Sequence, residues 1–202
     1  MESQISIDDL KKIEAGIREK YSNVAQNPDG QFKYPTGKNG LEALNYENAL
    51  IEQLPDEVAS SYCGVGNPFS LGPVNPGEQV LDLGCGAGVD TILAAMMVGP
   101  AGSAVGVDIV PEMIARAETN LRTMGIENAS FQNTSGEALP FDDNSFNVVI
   151  SNGAINLIPD KEKALSEIKR VLKPAGRLMV SDQIAAGGVQ KDLKARLANW
   201  FQ

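Results

Sequence analysis

From Gly77 onward, the sequence alternates two kinds of segment, and this alternation limits the fold more than any other feature. Short apolar segments typical of buried strands occupy 79–83, 104–108, 129–132, 147–151 and 177–181. Segments with helical periodicity lie among them at 89–98, 111–124 and 161–172. Strands and helices in this order connect through right-handed crossovers and build a parallel sheet. The sequence therefore predicts an α/β fold with a doubly wound parallel sheet.

The residues before the alternating part predict a helical cap. Apolar residues at helical spacing over 6–26 indicate an amphipathic helix, and a second predicted helix covers 41–54. The stretch 27–39 between them is rich in turn residues and predicts a loop. The chain is therefore expected to divide into an N-terminal cap or lid at 1–75 and a core at 76–202.

The charge balance excludes one large class of partner. The chain has 17 basic and 26 acidic residues and a net charge of -9, which opposes binding to phosphate-rich nucleic acid. No apolar run approaches the roughly 20 residues that a membrane-spanning helix needs, and the N-terminus lacks the pattern of a signal peptide. We therefore expect a cytoplasmic protein without nucleic-acid or membrane partners.

Histidine is absent, and only two cysteines, Cys63 and Cys85, occur. Without imidazole the commonest general base is missing, as are all histidine-based metal sites. Two cysteines do not indicate a disulfide scaffold. The sequence therefore predicts no metal site and a reaction that proceeds without an imidazole base.

The stretch VLDLGCGAGVD at 80–90 predicts a strand, a glycine-rich turn and the start of a helix, where a ligand can approach bare backbone. A dinucleotide fingerprint has the spacing G-x-G-x-x-G, whereas Gly84, Gly86 and Gly88 are spaced G-x-G-x-G. This spacing favours a nucleoside ligand without a pyrophosphate. Asp82, at the end of the predicted strand, could accept hydrogen bonds from an ammonium group on such a ligand. An NAD-type oxidoreductase remains the alternative.

A second acidic residue ends the second predicted strand. Asp108 follows Gly88 by 20 residues, a position at which a carboxylate can accept hydrogen bonds from both ribose hydroxyls. Acidic residues at the carboxyl ends of strands meet at the crevice where the sheet order reverses. Asp82 and Asp108 are therefore expected to contact the same ligand, whichever nucleotide class it belongs to.

Five segments stand in the order and spacing of class I S-adenosylmethionine methyltransferases, which the chain resembles over about 76–182. They are VLDLGCGAG, GVDIVPEMI, SGEALPF, SNGAINLIPD and RVLKPAGRLMVSD. The resemblance implies a Rossmann-like core and S-adenosylmethionine as cofactor, with S-adenosylhomocysteine as product. It also implies that the methyl acceptor is a small molecule.

The same resemblance implies which residues contact the cofactor. The glycines would line its methionine and ribose parts, Asp108 would hold the ribose, and other residues would surround the adenine. The alternatives are a packed filler for Cys85 and a solvated loop carboxylate for Glu137. The full predicted set is Asp82, Gly84, Cys85, Gly86, Gly88, Asp108, Ile109, Met113, Ser135, Gly136, Glu137, Ser151 and Asn152.

A closer resemblance, to arsenite methyltransferases, rests on YCGVGNPFSLG, VGPAGSAVGVD and SNGAINLIPDK. It implies catalytic roles for Cys63 as a soft ligand, for Asn152 beside the acceptor and for Tyr21 as an aromatic cover of the methyl group. Gly153 occupies the place of a cysteine in that family, so a three-thiolate arsenic site cannot be assembled. Another soft nucleophile as acceptor, cofactor binding without catalysis, and a purely structural Cys63 are the alternatives.

The resemblance also predicts elements that this sequence does not contain. Class I enzymes continue after the fifth strand with a helix and an antiparallel strand pair, so the fifth strand is expected to form an exposed edge that a second copy could cover. Arsenite methyltransferases commonly have a cysteine three positions after a tryptophan in that helix, which here falls directly after Gln202. A natural terminus, a trimmed chain, or a selenocysteine codon read as a stop would each explain this.

Overall fold

A five-stranded sheet forms the centre of the computed structural model, which describes residues 6–184. The strands are β1 Gln79–Leu83, β2 Ser103–Asp108, β3 Ala129–Asn133, β4 Phe146–Asn152 and β5 Leu172–Ser181. All neighbouring pairs are parallel, and the order is β3-β2-β1-β4-β5. The predicted α/β parallel fold is thereby confirmed. Because the order reverses between β1 and β4, a crevice opens at the carboxyl ends of these two strands.

Helices cover both faces of the sheet. The α-helices are α1 Ile7–Gln26, α2 Gly37–Ala43, α3 Asn48–Ile51, α4 Asp56–Ala59, α5 Val89–Val98, α6 Pro111–Met124 and α7 Lys161–Val171. Val80 of β1 packs with α5 on one face, whereas Leu81 and Leu83 pack with α7 on the other. All three side chains are at most 1% exposed. Burial on both faces explains why Val80, Leu81 and Leu83 are all apolar although they point to opposite sides of the sheet.

Helix α1 has the extent that the sequence predicts. Ser6 caps it, since its Oγ accepts a hydrogen bond from the Asp9 amide at 3.2 Å and donates one to the Asp9 carboxylate at 2.6 Å. Its buried face, formed by Ile13, Ile17 and Val24, packs against residues around the start of α6. Helix α1 therefore lies beside the loop that follows β2.

The prediction of one helix over 41–54 is wrong. Helix α2 begins earlier, at Gly37, and ends at Ala43, and α3 starts only at Asn48. Asn45 between them has a φ of 57°, which is left-handed and incompatible with a continuous helix. This break brings Tyr46 into the interior, where it is 4% exposed.

Within residues 6–184, β5 is the outermost strand on one side of the sheet, and Leu178 on this strand is 38% exposed. Strand β5 starts at Leu172, five residues earlier than predicted, with an irregular pairing to β4 near its beginning. The predicted lack of the C-terminal strand pair and the position of Trp200 both concern residues outside 6–184. Within that range, none of the helices is long and apolar enough to cross a membrane.

Candidate functional site

A cavity of about 1120 Å³ lies at the carboxyl ends of β1, β2, β3 and β4. The segments that follow these strands form its floor, and α1 together with the loop after it forms the opposite wall. Ligand cavities of single small molecules occupy about 300–1,000 Å³. This cavity therefore has room for a nucleoside-sized ligand and a second small molecule.

The loop after β1 presents bare backbone to the cavity. Gly84, Gly86 and Gly88 have φ values of 73°, 51° and 82°, a left-handed conformation that favours glycine. The amides of Gly84 and Cys85 donate hydrogen bonds to the Val107 carbonyl at 2.8 and 3.0 Å, which ties the loop to β2. A β-carbon on Gly86 would have Met113 Sδ, at 3.9 Å, as its nearest neighbour, so the loop is open on the ligand side.

Asp108 connects the glycine loop with the start of α6. Its Oδ2 accepts from the Gly86 amide and its Oδ1 from the Val110 amide, both at 2.9 Å. Burial raises the pKa of this carboxyl against the lowering effect of these amides. Each carboxylate oxygen has a second lone pair, so the half-buried side chain can still accept hydrogen bonds from a ligand in the cavity.

Two further carboxyl groups, Asp82 and Asp90, line the same cavity and are only 2% and 7% exposed. Asp82 Oδ2 accepts from the Thr91 hydroxyl at 2.7 Å, and burial, reinforced by Asp90, raises its pKa well above the usual value. Asp90 accepts from the Tyr46 hydroxyl at 2.7 Å and from the Asn152 amide at 2.9 Å. Burial raises the pKa of Asp90 to about 6.

Most of the predicted site residues line this cavity. They are Tyr21, Cys63, Asp82, Gly84, Cys85, Gly86, Asp108, Ile109, Met113, Ser135, Gly136, Glu137 and Asn152. Two predicted residues do not line it. Gly88, at the end of the loop, faces the core, where a β-carbon would be 2.5 Å from the Phe131 ring. Ser151 is fully buried with its hydroxyl donating to the Leu83 carbonyl. Both residues support the loop from within the core.

Aromatic side chains of the N-terminal segment form the wall opposite the sheet. The Tyr21 and Phe32 ring centroids are 6.4 Å apart, and those of Phe32 and Tyr34 are 5.0 Å apart. The Lys20 ammonium lies 5.1 Å from the Phe32 ring centroid. Burial raises the pKa of Tyr21, so its phenol stays protonated and can act as a hydrogen-bond donor but not as a base at neutral pH.

Cys63 lies on the cavity wall in the loop that precedes β1. The Tyr34 hydroxyl donates to its backbone carbonyl at 3.2 Å. Burial, together with the negative charges of Asp108 and Asp90, raises the pKa of the Cys63 thiol to about 12. Burial also raises the pKa of Cys85. With the cavity as it stands, both cysteines are therefore thiols, not thiolates, at neutral pH.

Sequence reasoning missed several lining residues, among them Ile17 and Lys20 of α1, Leu157 and Ile158 after β4, and Gln183. Ile17, Lys20 and Tyr21 occur at helical spacing, so their shared face was detectable once Tyr21 had been proposed. Leu157 and Ile158 stand within SNGAINLIPD, so the resemblance indicated this segment but not which of its apolar side chains face the cavity.

The lining is strongly acidic. Within the described chain it contains six acidic residues, Glu14, Asp82, Asp90, Asp108, Glu137 and Asp160, and two basic ones, Lys20 and Lys33. No group of three or more cysteine, aspartate or glutamate side chains in residues 6–184 has the arrangement of a metal site. Such a cavity favours a positively charged ligand and disfavours a pyrophosphate.

Comparison with known proteins gives consistent similarities. Residues 74–202 match the profile of a family described as methyltransferase domain. The arsenite methyltransferase of Halobacterium salinarum is 35% identical over 96% of this chain and 53% of its own length. The ubiquinone/menaquinone biosynthesis C-methyltransferase of Cronobacter sakazakii is 41% identical over 65% of this chain and 58% of its own length. The chain thus spans about half the length of the curated relatives it matches.

One solved structure combines similar sequence with a similar fold. It is the crystal structure of an arsenic(III) S-adenosylmethionine methyltransferase from Chlamydomonas reinhardtii, with a TM-score of 0.56 and 35% identity. The match covers 74% of this chain and 50% of that chain. The sequence and the backbone of the described core therefore indicate the same relationship.

Proposed function

Because this chain belongs to the methyltransferase domain family, we propose that it binds S-adenosylmethionine at the carboxyl ends of β1 and β2 and transfers the methyl group to a small acceptor. The observation that supports this most is the acidic, nucleoside-sized cavity around the glycine loop and Asp108. An NAD-type oxidoreductase is disfavoured, since the same acidic lining would repel a pyrophosphate.

The residues present fit this cofactor. Asp82 offers a buried carboxyl group, which a bound ammonium group would favour in its charged form. Asp108 offers lone pairs to ribose hydroxyls from a position fixed by two backbone amides. Ile109 and Met113 present apolar surface beside Asp108, where an adenine ring could pack. When bound, S-adenosylmethionine supplies an electrophilic methyl group on a sulfonium.

In this proposal the chain contributes alignment and exclusion of water rather than proton transfer. Methyl transfer to a lone pair is an in-line displacement, which depends on holding the acceptor within reach at the correct angle. The aromatic wall of Tyr21, Phe32 and Tyr34 covers the cavity from the α1 side. The absence of histidine is compatible with this chemistry, because an acceptor that has a free lone pair needs no base.

Two acceptor classes are proposed. The arsenite methyltransferase relatives and Cys63 in the cavity wall support a soft nucleophile of the arsenite type as the first candidate. Residues 6–184 supply only Cys63 and Cys85 as thiols, so arsenite would have fewer than three thiolate ligands from this part of the chain. A planar aromatic acceptor is the second candidate, favoured by the aromatic wall and by the quinone-pathway relative.

Isothermal titration with S-adenosylhomocysteine tests the cofactor part of the proposal. We expect saturable one-site binding to the folded chain, and absence of heat with intact circular dichroism would contradict it. A methylation screen against arsenite, selenite, small thiols and hydroquinones then tests the acceptor. Binding without transfer to any acceptor would favour a cofactor-binding protein without catalysis.

Replacing Asp108 should weaken the cofactor complex. Asp108→Ala removes a charged acceptor of hydrogen bonds, and such a loss costs about 1.5–3 kcal/mol, or roughly 10- to 150-fold in the dissociation constant of S-adenosylhomocysteine. Asp142→Ala is the matched control, since Asp142 lies in a turn away from the cavity. Unchanged affinity in Asp108→Ala would show that the ribose binds elsewhere.

A further inference from the structure

The loop Cys63–Gly66, which carries the cavity cysteine, lies directly on the carboxyl end of β4. The side-chain oxygen of Asn152, the last residue of β4, accepts hydrogen bonds from the backbone amides of Val65 at 2.9 Å and Gly66 at 3.1 Å. These two amides have the same acceptor, so a single side chain fixes the direction of the loop at this point.

The side-chain nitrogen of Asn152 also donates its hydrogen bonds within the protein. Four oxygens lie within 3.2 Å of it, but an amide has only two protons. The two shortest distances, 2.8 Å to the Gly66 carbonyl and 2.9 Å to Asp90 Oδ2, identify the acceptors. The Asn152 side chain therefore has no remaining donor for a ligand, although it lines the cavity.

Two tyrosine hydroxyls complete this arrangement. The Tyr46 hydroxyl donates to Asp90 Oδ1 at 2.7 Å, and the Tyr62 hydroxyl donates to the Gly66 carbonyl at 2.9 Å. Their rings meet edge to face with centroids 5.4 Å apart, and both side chains are less than 5% exposed. We call Tyr46, Tyr62, Asp90 and Asn152 the anchor cluster.

The loop contacts the anchor cluster with no side chain in between. A β-carbon on Gly64 would lie 2.3 Å from Asn152 Nδ2 and 2.5 Å from the Tyr62 hydroxyl. A β-carbon on Gly66 would lie 2.6 Å from the β-carbon of Ser181, at the end of β5. The two glycines therefore allow the backbone to approach polar side chains that a larger residue would displace.

Asp90 joins this loop to the opposite side of the cavity. It lies in the first turn of α5, directly after the glycine loop, whereas its partner Tyr46 lies in the break between α2 and α3. The cluster thus links the N-terminal segment, the start of α5 and the end of β4 through buried hydrogen bonds. A buried carboxylate with two donors is costly to leave unpaired, which makes the arrangement specific.

We propose that the anchor cluster is a positioning device that holds the Cys63–Gly66 loop, and with it the acceptor side of the cavity, in one place relative to the glycine loop. This inference extends the proposed function by assigning Tyr46, Tyr62 and Asp90 to acceptor positioning. It also assigns Asn152 to the loop and not to direct contact with the acceptor.

Cys63 provides a measurement that does not depend on activity. Tyr46→Phe keeps the ring but removes the hydroxyl that donates to Asp90. Because a hydrogen bond to a charged group is lost, the loop should open more often, and alkylation of Cys63 by iodoacetamide should become about tenfold faster. Peptide mass spectrometry after short pulses measures Cys63 and Cys85 in one sample, and labelling of Cys85 should change less than about twofold.

Asn152→Ala and Asn147→Ala form a matched pair on β4. Asn147 lies at the opposite end of the strand, where its side-chain oxygen accepts from the Gln79 amide and the Lys173 ammonium at 3.0 and 2.9 Å. Asn152→Ala should accelerate Cys63 labelling as Tyr46→Phe does, whereas Asn147→Ala should leave it unchanged. Equal labelling in both asparagine variants, or unchanged labelling in a folded Tyr46→Phe, would overturn the inference.

Kinetics separate positioning from general destabilisation. Where the methylation screen yields an acceptor, Tyr46→Phe should raise its KM or lower kcat about tenfold, while the affinity for S-adenosylhomocysteine changes less than about threefold. Equal losses in acceptor kinetics and in affinity for S-adenosylhomocysteine would indicate a merely structural role. If the parent chain methylates nothing, the proposed function fails, but the labelling result still decides the role of the cluster.

Discussion

Gly84→Ala should destabilise the folded chain by about 3–4 kcal/mol, because two separate costs combine at this position. Residue 84 has a φ of 73°, where a β-carbon is strained. The same β-carbon would also lie 2.1 Å from the β-carbon of Ala154 in the turn after β4. Neither atom can rotate away, since both are attached directly to the backbone. Urea unfolding followed by circular dichroism measures the change.

Gly77→Ala is the matched control for this substitution. Gly77 has a φ of 84°, but a β-carbon there would have no neighbour within 4 Å. Gly77→Ala should therefore lower the free energy of unfolding by only about 1–2 kcal/mol, which is the backbone strain alone. Adding Ala154→Gly to Gly84→Ala removes the clash, so the double variant should lose about as much unfolding free energy as Gly77→Ala. Equal losses at residues 77 and 84 would show that the turn after β4 does not approach the glycine loop this closely.

Replacing Asp90 should change how stability depends on pH. Relative to Asp90→Asn, the parent chain should lose up to about 3 kcal/mol of unfolding free energy between pH 4 and pH 7. Burial raises the pKa of Asp90 from 3.8 to about 6 in the folded chain. Between these values the unfolded chain has released the proton and the folded chain retains it, so stability falls as the pH rises and levels off above pH 6.

Urea unfolding of both chains at several pH values between 4 and 7 checks this result. Arg177 and Arg170 lower the pKa values of Glu78 and Glu167, but these groups are common to both chains and their effects cancel in the difference. Asp82 adds to the expected trend, because the charge of Asp90 is one cause of its raised pKa. Parallel pH profiles for the two chains would show that Asp90 is not buried as described.

The sequence predicted those features that depend on local pattern. The strands, the glycine turn and Asp108 at the end of β2 could be located, because the spacing of apolar residues and the residue types of turns depend on neighbouring positions in the sequence. The helix over 41–54 was wrong because one residue, Asn45, adopts a left-handed conformation that the apolar spacing does not reveal. Ser151 and Gly88 do not line the cavity. Ser151 is turned to the Leu83 carbonyl and Gly88 packs beside the Phe131 ring, and neither contact is visible in the local sequence.

Contacts between distant segments could not be predicted in this way. The sequence places Asn152 at the end of β4 and predicts that it faces the acceptor, whereas we propose from its hydrogen bonds that it holds the Cys63–Gly66 loop. Its hydrogen-bond partners come from residues 62–66, 46 and 90, which only the folded chain brings together. An asparagine at a strand end has the same sequence signature whether its amide is free for a ligand or committed to the protein.

If the chain transfers a methyl group as proposed, the acidic lining of the cavity affects how donor and product exchange. Methyl transfer converts a positively charged sulfonium into a neutral thioether, so donor and spent product differ by one unit of charge but little in shape. Under the proposed function, the ionised acidic residues, which outnumber Lys20 and Lys33 in the lining, would attract the cationic donor more strongly than the product. Rising ionic strength should therefore slow capture of the donor while leaving release of the product nearly unaffected. If the proposed function holds, the charge of the lining would favour replacement of the product by a new donor molecule.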